Sequence, residues 1–163
     1  MKLVEIAEIP KAEFVDSSGA VEAIYKLCLE LQMFCESKQG AGLSAVQCGI
    51  PQHVFVVKAR EDTWYGKANQ YGYFANCTYT GSKKKVLSSE GCLSIPGKMY
   101  RVKRHETVQV KGLQLTKKDG KLILDPFDRE ILFNKGGIVF QHEIDHGFGK
   151  LISDEGEEIF VWV

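Results

Sequence analysis

Gln141-His142-Glu143-Ile144-Asp145-His146 stands near the C-terminal end of a 163-residue chain and decides its architecture. On a helix, side chains four positions apart project from one face, so His142 and His146 can grip one divalent metal while Glu143 reaches its open side. That geometry suits a metallohydrolase. The same residues on a solvated surface helix would be inert, so the choice depends on what the rest of the chain supplies. The helix is expected to start near Asn134, a good N-cap, and to run through Ile138, Val139 and Ile144. Gly136 and Gly137 weaken its first turn, each by about 1 kcal/mol relative to alanine, which asks for a packing or access reason.

A catalytic divalent site usually has three protein ligands and one open position, so a third ligand is needed. A further histidine six residues past His146 is ruled out because Ile152 stands there. A glutamate on a following helix has little chain left to carry it. Glu155, Glu157 and Glu158 cluster around Gly156 as a solvated turn before the apolar tail 159–163. The remaining soft ligand with supporting context is Cys92, in Glu90-Gly91-Cys92-Leu93-Ser94, since a thiolate suits zinc or ferrous iron. A second glycine-rich stretch, Gly40-Ala41-Gly42-Leu43-Ser44-Ala45-Val46-Gln47, lets a ligand approach the backbone closely but lacks the Gly-Lys-Ser/Thr ending of a phosphate loop.

Around these islands the pattern is mixed α and β. Residues 1–16 form an arm interrupted by Pro10. After Ser17, Ser18 and Gly19, plausible capping residues, Val21, Ile24, Leu27, Cys28, Leu31, Phe34 and Cys35 recur at helical spacing, with Cys28 and Cys35 expected to pack. This helix should close between Ser37 and Gly40, a glycine taking the left-handed conformation. Residues 53–58 and 71–76 read as strands separated by a polar loop, and His53 as a solvated or hydrogen-bonded side chain. Lys83 to Lys85 read as a solvated turn. Along 107–116 the apolar positions shift from Val108 and Val110 to Leu113 and Leu115 across Gly112, which suggests a β-bulge there. Asp119-Gly120 turns the chain into a partner strand, 121–124. Trp64 and Trp162 are assigned to the core.

Composition bounds the setting. Lys+Arg and Asp+Glu both number 21, so no net field attracts nucleic acid or an anionic membrane. No apolar run reaches membrane-spanning length. Five cysteines without a CxxC pair, and an N-terminus without a basic, apolar leader, point to a reducing, cytoplasmic setting. The length fits a single domain, 1–163.

Taken together, GAGLSAVQ at 40–47, EGCLS at 90–94 and QHEIDH at 141–146 resemble the three ordered motifs of the peptide deformylase family, over roughly positions 20 to 152. The resemblance implies an α+β fold in which antiparallel strands surround the central HExxH-bearing helix, preceded by an N-terminal helix. It also implies a metal-dependent hydrolase that removes the N-formyl group from the initiator formyl-methionine of nascent polypeptides and releases formate. In that scheme Cys92, His142 and His146 hold one divalent ion, physiologically Fe2+ with Zn2+, Ni2+ or Co2+ as alternatives, whose bound water is the nucleophile. Glu143 is the general base and then acid. The Gln47 side chain and the Leu93 N–H stabilise the oxyanion. Gly40, Ala41, Gly42, Glu90 and Gly91 hold the peptide, and Ile138 and Val139 line the methionine pocket. Asp145 is structural, with Arg104 pairing with it or with Glu90. A monomer acting on N-formyl-methionyl peptides, without nucleic-acid or membrane partners, is expected.

The chain departs from the family pattern in places. Ser44 replaces alanine, Cys77 follows Asn76 in place of proline, Met99 occupies a position that is arginine in some members, and Gly147 follows the second histidine in place of leucine. The short stretch after Trp162 gives no support to docking on the ribosome through a C-terminal helix. A metallopeptidase acting on unformylated peptides would share the HExxH pattern but not the EGCLS ligand. A non-catalytic metal binder would not need Glu143 and Gln47.

Overall fold

In the computed structural model, which describes residues 1–19 and 21–159, β2 (Val54–Lys58) is an inner strand of a five-stranded antiparallel sheet. Its Val54, Phe55, Val56 and Val57 are all buried because both faces are covered. The sheet order is β1-β2-β3-β6-β7, with β1 Gly42–Ser44, β3 Tyr71–Gly81, β6 Thr107–Lys118 and β7 Lys121–Leu132. Helix α1 (Val21–Ser37) packs Ile24, Cys28, Leu31 and Cys35 on one face, against Leu43, Val54, Val56, Ala75 and Leu115. Helix α2 (Gly137–Gly147) packs Phe140 and Ile144 on the other, against Phe55, Val57, Phe74, Val108 and Val110. The fold is α+β with antiparallel strands around the HExxH helix, as expected.

A hairpin of β4 (Lys85–Cys92) and β5 (Ile95–His105) interrupts the path from β3 to β6 and forms a second sheet, β4-β5-β8. Its turn delivers Cys92 to the buried side of α2. The acidic cluster read as a solvated turn is ordered instead: α3 (Ile152–Glu155) leads into β8 (Glu157–Ile159), which pairs with Met99, Tyr100 and Arg101. Glu157 and Glu158 remain exposed, so charge and strand coexist on an edge. The apolar tail beyond Ile159, with the core assignment of Trp162, lies outside the described residues.

The bulge expected at Gly112 is found in the facing strand. Register runs from Ala75↔Leu113 to Thr78↔Lys111, three steps on β3 against two on β6, and Asn76 takes a positive φ of 54°. Strand β6 alternates regularly. Val108 and Val110 face α2, whereas Leu113 and Leu115 face α1, so the shift in the sequence pattern marks a change in which face is covered. Gly112 is needed for the bulge itself, since a β-carbon there would stand 2.4 Å from Cys77 Sγ. The partner strand β7 continues well past Leu124, in unbroken register with β6.

The N-terminal arm lies across the body. Asn76, at the bulge, accepts from Val15 N–H and donates to Val15 C=O, both at 2.8 Å, so its amide acts as a strand neighbour for the arm. Before α1, Asp16 accepts from Ser18 N–H and Oγ, so the carboxylate and not the serines supplies the local acceptor. At the other end of α1 it is Gln39, φ 56°, and not Gly40, that adopts the left-handed conformation. Gly40 answers a steric need: a β-carbon would fall 2.8 Å from Cys35 Sγ.

Candidate metal centre

Helix α2 begins after Gly136 (φ 102°), so its N-cap lies two residues beyond Asn134, which sits in a 3-10 turn. Gly137 is tight against backbone, its β-carbon position being 2.7 Å from Leu132 O. Both glycines are therefore structural requirements of the tight approach into the helix. From Phe140 to Gly147 every residue of α2 is buried, including Gln141, His142, Glu143, Asp145 and His146. Five polar side chains within two turns of a buried helix each need a partner, because an unsatisfied buried polar group costs about 1–3 kcal/mol.

Four of them find one in the protein. Gln141 bonds the backbone of His105 through both ends of its amide. Asp145 accepts from Tyr79 Oη at 2.8 Å and from Arg104 Nη1 at 2.7 Å. Arg104 also grips Glu90 in bidentate fashion, Nε–Oε2 2.8 Å and Nη2–Oε1 2.7 Å, and Glu90 Oε1 lies 2.9 Å from His142 Nδ1. His146 Nδ1 faces Lys150 O at 3.2 Å. A carbonyl and a carboxylate must each receive a proton, so both imidazoles are fixed with Nδ1–H outward and Nε2 turned toward Cys92.

Cys92, His142 and His146 have ligand atoms within 4.8 Å of one another. Cys92 Sγ lies 3.5 Å from His146 Nε2. A tetrahedral ion with bonds of about 2.3 Å to sulfur and about 2.0 Å to nitrogen would separate those atoms by about 3.5 Å, so the donor set fits. Burial would lower His142, but its bonds to Cys92 and Glu90 and the charge of Glu143 lift it to about 10. His146 is held well below the ordinary imidazole range, by burial and then by the charge of His142. The surroundings of His142 thus favour positive charge at its ring, whereas those of His146 keep that ring neutral.

Glu143 is the exception to the partner rule: its Oε2 is buried with no hydrogen bond among the described residues. Burial lifts its carboxyl to about 7, with His142 and Arg104 opposing the shift and Glu90 adding to it. Gly42 permits the approach, because a β-carbon there would stand 2.7 Å from Glu143 Oε1. Beside them, Gln47 accepts Ser44 N–H at 2.9 Å through Oε1, which turns its NH2 toward Ser94 Oγ (3.0 Å) and Cys92 Sγ (3.5 Å). A buried carboxylate, a set of three candidate metal donors and an amide NH2 converge at one place. Cavities of about 210 Å³ beside Tyr25, Tyr71 and Tyr73 and about 460 Å³ beside Trp64 and Asp128 bring no such groups together.

A family model for polypeptide deformylase matches residues 4–159. The chain belongs to the polypeptide deformylase family. The peptide deformylase of Thermodesulfovibrio yellowstonii is 34% identical over 166 positions, spanning 95% of this chain and 90% of that protein. A probable peptide deformylase from Synechococcus phage S-SSM7 superposes with a TM-score of 0.76 at 30% identity, covering 94% of this chain and 98% of that one. At 23% identity, the class I type b peptide deformylase of Acinetobacter baumannii, bound to Met-Ala-Ser, shares the fold with a TM-score of 0.78 over 95% of this chain and 97% of its own. The protein is therefore a metal-dependent hydrolase whose family activity is removal of the N-formyl group from nascent polypeptides.

Most motif residues singled out in the sequence gather at this centre. Glu90 was expected to hold peptide, yet its carboxylate is 7% exposed and occupied by Arg104 and His142. Those bonds outweigh its burial and hold it near about 2. Gly40, Ala41, Gly42, Ile138 and Val139, expected from the sequence to meet the peptide, are half-buried, as is Leu93, and Gly91 is exposed, whereas Cys92, His142 and His146 are buried. Tyr79 escaped the sequence reading, since a tyrosine in an aromatic strand carries no mark of an acidic partner 66 positions away. The His53 side chain, expected to be solvated or hydrogen-bonded, is 1% exposed, and among the described residues neither ring nitrogen has a partner. Among the described residues no helix is long and apolar enough to cross a membrane.

Proposed function

We propose that residues 1–163 act as one catalytic domain in which Cys92, His142 and His146 hold a divalent ion and Glu143 moves the proton during deformylation of formyl-methionyl peptides. The observation that carries this assignment is the buried Glu143 Oε2, without a partner among the described residues, beside two imidazoles whose Nδ1 atoms are already committed. When bound, the ion supplies a Lewis acid that polarises a carbonyl and acidifies water. Glu143 takes a proton from the attacking water and hands it to the departing amine nitrogen, so one carboxyl serves as base and then as acid. The Gln47 NH2, oriented by Ser44, and the Leu93 N–H donate to the oxyanion as it forms.

Glu90 and Arg104 position His142 and contact no substrate in this scheme. Gly40, Ala41, Gly42 and Gly91 keep a backbone surface open for an extended peptide, and Ile138 and Val139 offer apolar surface to the methionine side chain. Ferrous iron is the ion we favour, with zinc, nickel and cobalt compatible with the same donors. Cytoplasmic action as a monomer on peptide, without nucleic-acid or membrane partners, accords with five free cysteines and balanced charge.

The test is anaerobic purification with metal analysis, followed by formate release from a formyl-methionyl peptide and parallel incubation with its acetylated and free-amine counterparts. Selective release of formate, one per peptide, is expected. Cleavage of the free-amine peptide at an internal bond would instead identify a metallopeptidase.

A further inference from the structure

His53 and Gly147 meet just beyond the metal centre. A β-carbon on Gly147 would stand 2.5 Å from His53 Nε2 and 2.6 Å from Cδ2, so the imidazole fills the space a side chain at 147 would need. Neither ring nitrogen has a partner among the described residues. The ring therefore acts through its shape.

It is also firmly seated. His53 N–H donates to Glu13 O at 2.9 Å, and its carbonyl accepts Asn76 N–H at 2.9 Å. Phe14 and Phe148 close on the ring edgewise, with centroids at 5.1 and 5.2 Å, although each leaves about half its own surface in solvent (56% and 50%). From the other side, the carbonyl of Gly147 accepts Ala12 N–H at 3.2 Å.

The turn beyond Gly147 reaches back to the metal centre. Phe148 and Lys150 donate their N–H groups to Asp145 O, and Gly149, at φ 78°, donates to His146 O. This closing turn brings Lys150 O to His146 Nδ1. The turn is held at Asp145 by the Tyr79–Arg104 network and at Gly147 by the His53 ring.

We propose that His53 is a positioning residue: its ring is a wedge under Gly147 that sets the closing turn of α2 and, through Lys150 O, the orientation of His146. The proposal rests on His146 being a metal ligand. Its signature is reciprocity, because a side chain added at 147 should be tolerated only when the ring at 53 is cut back.

The test is Co2+ affinity, by competition with a chromophoric chelator, together with the visible Co2+ spectrum and the denaturant midpoint. Gly147→Ala should weaken Co2+ binding at least about tenfold and alter the spectrum, as loss of a ligand's outer partner does. His53→Ala/Gly147→Ala should recover to within about threefold of the parent, and His53→Leu, which keeps bulk without nitrogens, should stay within about threefold. A fall in midpoint with unchanged affinity and spectrum for Gly147→Ala would overturn the proposal, as would additive losses in the double variant. If Gly147→Ala does not fold, a folded, Co2+-binding double variant supports the wedge and an unfolded one refutes it. Cys92→Ser separates the two levels: unchanged Co2+ affinity and spectrum in that variant would remove the metal-centre assignment itself, whatever the series at 147 shows.

Discussion

Helix α1 covers one face of the five-stranded sheet with Ile24, Cys28, Leu31 and Cys35, whereas α2 covers the other with Phe140 and Ile144 and buries Gln141, His142, Glu143, Asp145 and His146 as well. The first helix is amphipathic in the ordinary way. Its apolar stripe meets the sheet, its charged residues meet water, and its cysteines are inert: burial pushes the Cys28 thiol up to about 12. The second helix is buried throughout from Phe140 to Gly147, so its polar residues, Glu143 excepted, are bonded inside the protein. Cys92, brought to it by the β4–β5 turn, lies among imidazole nitrogens instead of methyl groups. Burial alone thus says little about a cysteine. The surrounding donors decide whether it packs or ligates.

The contrast can be broken in graded ways. The largest effect is expected for Glu143→Ala, which should lower kcat/KM for a formyl-methionyl peptide by up to about 10⁴-fold while metal content is kept; near-normal turnover would remove Glu143 as the base. Arg104→Ala should leave Glu90 and Asp145 as unpaired buried charges and destabilise the fold by about 3–5 kcal/mol, read from denaturant unfolding. For Gln47→Ala a loss of about 10²-fold, in kcat and not in KM, is expected from an oxyanion donor. A pure rise in KM would assign Gln47 to substrate binding.

A pH experiment isolates Glu143. Its folded-state carboxyl, raised to about 7 from an ordinary 4.5, binds a proton more tightly than in the unfolded chain. Its stabilising contribution in chelator-treated protein is therefore full below pH 4.5 and is lost as pH rises to 7. Subtracting the stability profile of Glu143→Gln from that of the parent should leave a difference that falls across this window; a flat difference would show that the carboxyl is not desolvated. On the other face, Cys28→Ala should cost only about 1–2 kcal/mol and leave metal content and turnover unchanged.

Much of this contrast is legible in the sequence. Helical spacing marks α1, and the three motif islands contain, before any coordinates, the side chains that converge on the candidate centre. The features that escape depend on the far side of a contact. The shift at Gly112 looks like a bulge because a single strand cannot show that its two halves are covered by different helices. Asn134 has the chemistry of an N-cap, but the closeness of Gly137 to Leu132 O starts the helix later. Glu157 and Glu158 look solvated, and they are, yet their backbone still completes an edge. Tyr79 and His53 matter through partners distant in sequence, Asp145 in one case and Gly147 in the other.

The central claim is that Cys92, His142 and His146 form one metal centre, and X-ray absorption at the metal edge of the anaerobically loaded protein tests it most directly. The account predicts one sulfur scatterer at about 2.3 Å and two imidazole nitrogens at about 2.0–2.1 Å. A ligand shell of nitrogen and oxygen alone would contradict it.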